Sequence, residues 1–262
     1  MRIIVFSDLH YYGGDIETAR FNTSHKLVQY AEPLLDRIIA IANDEFTADI
    51  CVNLGDLIQD DNDKQRDLEA FAFIHERLKG LRCPCHSILG NHDLKMLDDI
   101  REIEDILGYS STQSMDLDGC HLVFLSPELR PELGTGKGGC YKAQYLSEET
   151  IAWLKKDLAA NSLPTVVFTH FGLAEDETIP REHMFMKNRE EVKAILREDP
   201  HILAVFSGHQ HQPRHHLEDG VHYYVLDSIT SGLDGSGIPA GEYAELTLEN
   251  GTFTVEIKKI LL

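Results

Sequence analysis

Five short segments of the chain each place a metal-competent side chain directly after an apolar run. Arg2–Ser7 leads into Asp8-Leu9-His10, and "ICVNLGD" ends in Asp56. "SILGNHD" ends in Asn91, His92 and Asp93, "VVFTH" in His170, and "LAVFSGHQH" in His209-Gln210-His211. Oxygen and imidazole donors without thiolate suit manganese, iron or zinc. Each segment alone has a plain alternative. Asp-x-His recurs by chance, Gly-Asp after a strand is commonly a turn, and Gly-Asn-His-Asp also reads as a turn entering a helix. His-x-His says more, because alternate residues of an extended segment lie on one side and can face a shared ion. The joint occurrence carries the reading. Buried carboxylates and imidazoles without partners are costly, so five strands converging on them need a balancing charge, which two metal ions provide.

To converge, these residues must sit at the carboxyl ends of neighbouring strands, the edge of an α/β sheet where sites form. The chain supplies strand–helix alternation. Strands are expected at Arg2–Ser7, Asp49–Leu54 and His86–Leu89, and helices at Leu34–Ala42, Asp67–Gly80 and Leu94–Ile106. Further on, strands are expected at Cys120–Ser126, Thr165–His170 and Ile202–Gly208, with helices at Ser147–Ala160, capped by Ser147, and Asn188–Glu198. The tail segments "HYYVLDS", "EYAELTL" and "TFTVEIKK" read as successive antiparallel strands with a turn at Asn250-Gly251. The glycine-rich stretch Gly134–Gly139 follows no P-loop pattern and reads as a flexible connection. With no repeat and no convincing linker, residues 1–262 are expected to form one α/β domain: ligand blocks over 8–211, and C-terminal strands over 221–260 completing a second sheet.

Composition narrows the function. The 24 basic and 44 acidic residues give a formal net charge of -20, against the basic face that nucleic-acid binders carry. Metal charge in the site would let a small anion bind despite this acidity. No apolar run reaches the roughly 18–20 residues of a membrane span, and the opening apolar run is too short for a signal peptide, so the expected location is the cytoplasm. Five cysteines without zinc or disulfide spacing read as reduced, packed thiols, Cys83-Pro84-Cys85 included. Among other histidines, His183 falls where a substrate-covering loop could sit. His215 and His216 read as a solvated corner and His75 as structural. Tyr11 and Tyr12 follow the first ligands and could stack on a base.

As an ordered set, Asp8-x-His10, Gly55-Asp56, Gly90-Asn91-His92-Asp93, His170 and Gly208-His209-x-His211 resemble the five-block signature of the calcineurin-like metallophosphoesterases. The stretch "NREEVKAILREDPHILAVFSGHQH" is similar, less specifically, to the bacterial class III cyclic-nucleotide phosphodiesterases of that superfamily. The resemblance implies a four-layer sandwich, with two mixed β-sheets packed face to face and helices outside. It implies one ion on Asp8, His10, Asp56 and His211, and another on Asp56, Asn91, His170 and His209, with Asp56 bridging. His92 is left to face the substrate, with Asp93 orienting or supporting it. Two divalent ions are implied, manganese and/or iron first, with zinc also suited. With Asp8 and Asp56 ionised, the ligand set would carry about +2, or about +1 with hydroxide counted. The implied reaction is attack of a metal-bridging hydroxide on a small phosphodiester, a cyclic nucleotide such as cyclic AMP first, with His92 as general acid. Alternatives are a phosphomonoesterase or nucleoside-diphosphate-type phosphohydrolase, a DNA nuclease disfavoured by net charge, and a non-enzymatic interaction module disfavoured by the full ligand set. The expected partner is a small anionic phosphoester, with neither membrane nor nucleic-acid polymer; homo-oligomerisation is left open.

Overall fold

Two mixed sheets face each other in a computed structural model that describes all residues except 20, 22, 129–143, 175–181 and 250–251. In the first sheet β1 (Arg2–Phe6), β2 (Ile50–Asn53) and β3 (Cys85–Ser87) run parallel. β10 (Glu242–Glu249) pairs antiparallel with β1, and β11 (Thr252–Lys259) with β10, giving the order β11-β10-β1-β2-β3. In the second, β5 (Cys120–Leu125), β6 (Thr165–Thr169), β7 (Ile202–Ser207) and β9 (Val221–Val225) form a parallel centre. β4 (Gln113–Leu117) and β8 (Arg214–Glu218) flank it antiparallel, in the order β4-β5-β6-β7-β9-β8.

Burial along the strands explains the layering. β1, β2, β5 and β6 are apolar on both faces and almost wholly buried, as strands covered on both sides must be. Ile3, Val5, Val52, Phe124, Phe168 and Phe206 fill the space between the sheets. Phe6, Leu35, Ile38, Phe71, Ile74 and Ile103 join α1 (Ala31–Ala40), α2 (Lys64–Leu78) and α4 (Arg101–Leu107) to the outer face of the first sheet. Val167, Leu154, Leu158, Val192 and Leu196 join α5 (Glu148–Ala159) and α6 (Arg189–Glu198) to the second. The result is helix–sheet–sheet–helix, the expected four layers. None of the helices among the described residues is long and apolar enough to cross a membrane.

Several elements depart from expectation. α2 starts at Lys64 because the Asp63 carboxylate accepts from Gln65 N and Arg66 N. The single helix expected over Leu94–Ile106 is two, α3 (Asn91–Leu94) and α4, because Asp99 takes the Arg101 N–H at 3.0 Å and starts a new helix. β4 is an additional strand, turned into β5 through Asp118 and Gly119, both at positive φ. The tail does not complete one sheet. Residues 221–225 extend the second sheet, whereas 242–259 extend the first. Ser147 caps α5 as expected, accepting from Thr150 N at 3.1 Å. The described cysteines, 51, 83, 85 and 120, are all free thiols. Gly134–Gly139 and the Asn250-Gly251 turn lie outside the described residues.

Candidate metal centre

The carboxyl ends of β1, β2, β6 and β7, and the loop after β3, deliver the candidate ligands to one edge of the sandwich. The loops are tied to one another by backbone bonds: Asp8 N to Gly55 O, His10 N to Asp56 O, and Gly208 N to His170 O, each 3.0 Å. Asp8, His10, Asp56, His209 and His211 all have left-handed backbone, with φ of 54, 49, 52, 65 and 51°. Non-glycine residues rarely adopt this conformation, and it concentrates at functional sites. Asp8-x-His10 and His209-x-His211 therefore do not present their ligands as extended alternation; each ligand sits on its own left-handed kink.

Two glycines let the loops close in. A Cβ on Gly208 would lie 2.4 Å from Asp8 Oδ2, and one on Gly90 2.5 Å from Asp56 N. Gly90 itself is extended (φ -107°, ψ -178°), so close approach rather than turn conformation demands glycine there.

Asp8, His10 and His211 form one group of possible ligands, and Asp56, His170 and His209 another, each with its ligand atoms within 4.8 Å of one another. In the first, His211 Nε2 lies 3.1 Å from both Asp8 Oδ1 and His10 Nε2. In the second, His170 Nε2 lies 3.2 Å from Asn91 Oδ1 and 3.6 Å from Asp56 Oδ1. The outward nitrogens are held separately. His170 Nδ1–H donates to Leu54 O at 2.8 Å, and His209 Nε2–H to His183 O at 3.0 Å. This leaves His170 Nε2 and His209 Nδ1 as lone-pair atoms, the arrangement by which ligating histidines are oriented. Buried acceptors facing acceptors at such distances fit divalent cations by geometry and donor type.

His92 belongs to a third group, with His10 and Asp56. Its ring is held otherwise: Nδ1 lies 2.5 Å from Asp60 Oδ2, and Nε2 2.9 Å from Lys26 Nζ and 3.9 Å from Asp56 Oδ2. The orienting partner is Asp60, not Asp93. Asp93 instead accepts from Gly90 N at 2.8 Å and Ile58 N at 3.2 Å, fixing the turn that carries Asn91 and His92.

The charges need one another. Burial, then the neighbouring Asp8, pushes the Asp56 carboxyl well above the usual carboxylate range. Burial acts on Asp8 in the same sense, but His211 and the other site groups outweigh it and hold Asp8 well below that range. Two buried carboxylates driven apart in this way are a place where cations bring both to the ionised form. Burial first and Lys26 second lower His10 well below its ordinary value and His92 to about 4. Burial opposes ionisation of Asp60, yet its bonds to His92 and Lys95 bring it down to about 2. Burial and Asp56 push Asp93 up to about 8.

Asp8, His10, Asp56, Asn91, His92, Asp93, His170, His209 and His211 thus meet at one place. Asp60, Gln59, Lys26 and Lys95 join them without having been picked from the sequence. Only "GDLIQDD", with an acid four residues beyond Asp56, offered a signal for Asp60. His183 contributes through its backbone carbonyl. His215 stacks with His222 and Tyr224 on the second sheet. Tyr11 stacks on Phe73, and Tyr12 Oη donates to Asp61 at 3.0 Å. These tyrosines line a cavity of about 930 Å³ that Gln59 also borders, with Asp61, Asp63 and Asp67 among its walls.

Solved structures share this fold. A dimetal phosphatase from the zebrafish Danio rerio superposes with a TM-score of 0.75 over 98% of this chain and 95% of its own, at 15% identity. A phosphopantetheinyl hydrolase from Mycobacterium tuberculosis gives 0.52 over 86% and 89%, at 13% identity. Among curated proteins none matches. The family model for calcineurin-like phosphoesterase matches residues 1–213, from the first strand through the last ligand block, and the chain belongs to that family of metal-dependent phosphoester hydrolases.

Proposed function

We propose that the protein hydrolyses a small phosphodiester, with cyclic AMP the first candidate, and that His92 is the general acid. The observation that carries this is the pair of ligand groups around Asp8 and Asp56 with His92 beside them, its ring fixed by Asp60. One ion would be held by Asp8, His10, Asp56 and His211, the other by Asp56, Asn91, His170 and His209; Mn²⁺ or Fe suits this set. Such ions lower the pKa of water toward neutrality and neutralise charge on the phosphoryl oxygens. The chain supplies the rest. Asp60 Oδ2 accepts a hydrogen bond from His92 Nδ1–H, which leaves Nε2 facing the centre. Burial and the Lys26 ammonium disfavour the imidazolium, whereas Asp60 favours it and a bound anionic ester would do so too, so the acid form calls for bound substrate.

The neighbouring cavity bears on the organic part of the ester. Its acidic walls repel negative charge there, which disfavours a nucleoside diphosphate, while preference for a diester over a monoester would come from the shape of the space around the phosphoryl group. The test is a screen with Mn²⁺ of bis-p-nitrophenyl phosphate, p-nitrophenyl phosphate, cyclic AMP and nucleoside-diphosphate sugars. Higher kcat/KM on the diesters is expected; a monoester preference would transfer the assignment to the phosphomonoesterase alternative.

A further inference from the structure

Lys26 reaches the centre from a segment outside all five ligand blocks. Gly232 N donates to His25 O and Leu27 N to Thr230 O, both at 2.9 Å, so residues 25–27 form an antiparallel bridge with 230–232. That second segment is itself fixed to the ligand loop, because Ser228 Oγ donates to Asp8 O at 2.8 Å. The strap packs tightly: a Cβ on Gly232 would meet Leu27 Cγ and Ser24 O, each at 2.8 Å. Its position is therefore set by the same backbone that sets Asp8.

From there the Lys26 ammonium lies 2.9 Å from His92 Nε2, 2.9 Å from Gln59 Oε1 and 3.5 Å from His10 Nδ1. His10 turns its other nitrogen, Nε2, toward Asp8, Asp56 and His211. The ligand cluster is thus on one side of the His10 ring and Lys26 on the other, at the face of His92 that points inward. Lys95 lies 2.5 Å from a carboxylate oxygen of Asp60 and holds that carboxylate. Among the groups that Lys26 touches are an amide oxygen and an imidazole nitrogen, each a weaker acceptor than an anionic phosphoryl oxygen. Gln59, which steadies the ammonium, also borders the cavity, so Lys26 stands at the seam between the ligand cluster and the space for the organic part of an ester.

We infer that Lys26 is a substrate-binding residue whose ammonium holds a non-bridging oxygen of the phosphoester on the His92 side of the centre. This rests on the phosphoesterase reading above. An ester oriented this way places its leaving oxygen beside His92 and its organic group toward the cavity.

The test compares wild type, Lys26→Met and Lys26→Arg, each loaded with Mn²⁺, by calorimetric binding of inorganic phosphate, with metal content measured on the same preparations. Lys26→Met should keep its metal and bind phosphate roughly 10- to 100-fold more weakly, the loss expected for one hydrogen bond to a charged group. Lys26→Arg should stay within about threefold of wild type, because the charge and donors are retained. For hydrolysis, Lys26→Met should raise KM more than it lowers kcat. Phosphate affinity within twofold of wild type in metal-replete Lys26→Met would overturn the inference. Metal loss in both variants would overturn it too, making Lys26 a support of His10. Wild-type protein that binds metal and phosphate but cleaves no phosphoester would sink the functional reading while the Lys26 comparison stood.

Discussion

Replacing Asp60 by Asn tests the acid role of His92 through a residue that touches neither ligand group. Asp60 divides its oxygens: Oδ2 faces His92 Nδ1 and Oδ1 faces Lys95 Nζ, both at 2.5 Å. In Asp60→Asn the ammonium of Lys95 selects the amide oxygen, so the amide NH₂ turns toward His92. Nδ1 must then accept, which moves the ring proton to Nε2, where the Lys26 ammonium sits 2.9 Å away. The ring loses both its preferred tautomer and the charge that favours imidazolium. The stability cost should be about 1–3 kcal/mol, from weakening two charge-assisted bonds. The catalytic cost should depend on the leaving group. A ribose alkoxide needs a proton, so cyclic AMP turnover should fall roughly 10²–10⁴-fold, the range of general acid catalysis. p-Nitrophenolate leaves without one, so bis-p-nitrophenyl phosphate should lose less than about tenfold. Both rates, metal content and the urea midpoint are to be measured on one preparation. Equal losses on the two substrates with metals intact would refute the acid role, leaving electrostatic stabilisation of the phosphoryl group as the part His92 plays.

Asp56→Ala should lose both metals or nearly so, and Asp8→Ala chiefly one, by metal analysis of purified protein; full occupancy in Asp56→Ala would remove the bridging assignment. Gly208→Ala should lower both the melting temperature and metal content, because its Cβ would press on Asp8 Oδ2 at 2.4 Å and on Ser7; a neutral result would mean that the loop relaxes freely. His86, on β3, predicts a pH dependence. Burial lowers it to about 4 from an ordinary 6.5, so the folded state favours neutral imidazole. That stabilisation is present above about pH 6.5 and is lost as pH falls toward 4, on the order of 3 kcal/mol in all. His86→Phe, which keeps the stacking on Phe124, should flatten the urea midpoint over that window, and an unchanged slope would assign the acid sensitivity elsewhere.

What was legible in the sequence follows from what is local. Ser147 caps a helix beside an apolar stripe, and β1, β2, β6 and β7 are short apolar runs that end in polar residues. Period, caps and strand ends are properties of adjacent residues, and reading them was enough to collect every ligand candidate. Strand partners are not local. Val221–Val225 and Glu242–Glu249 have similar patterns, yet one joins β7 in parallel and the other joins β1 antiparallel. Nothing in either segment names its neighbour, so the tail reads as completing one sheet although the fold divides it between two.

The site shows the same division. His10 and His211, 201 residues apart, were paired because a family resemblance supplied the pairing that spacing could not. Asp93 drew attention because it follows His92, but an i,i+1 neighbour at a helix start faces the preceding turn, and there it takes Gly90 N and Ile58 N. The carboxylate that reaches His92 comes from the loop after β2, and the ammonium on its other nitrogen comes from a strap anchored to residues 230–232. Both depend on loops tied by backbone bonds across the molecule. Asp8 and His10 reach one cluster because each adopts left-handed backbone, with buried Leu9 between them, and His209 and His211, expected to lie on one side of an extended segment, sit on such kinks too. Five candidate ligands in that conformation carry a conformational cost of order 1–3 kcal/mol each. The interstrand bonds and the glycines at 90 and 208 hold them there, so the strain is sustained by the fold as a whole. A sequence motif records which residues are placed at such a site, while the energy that keeps them in place is distributed over the sheets behind it.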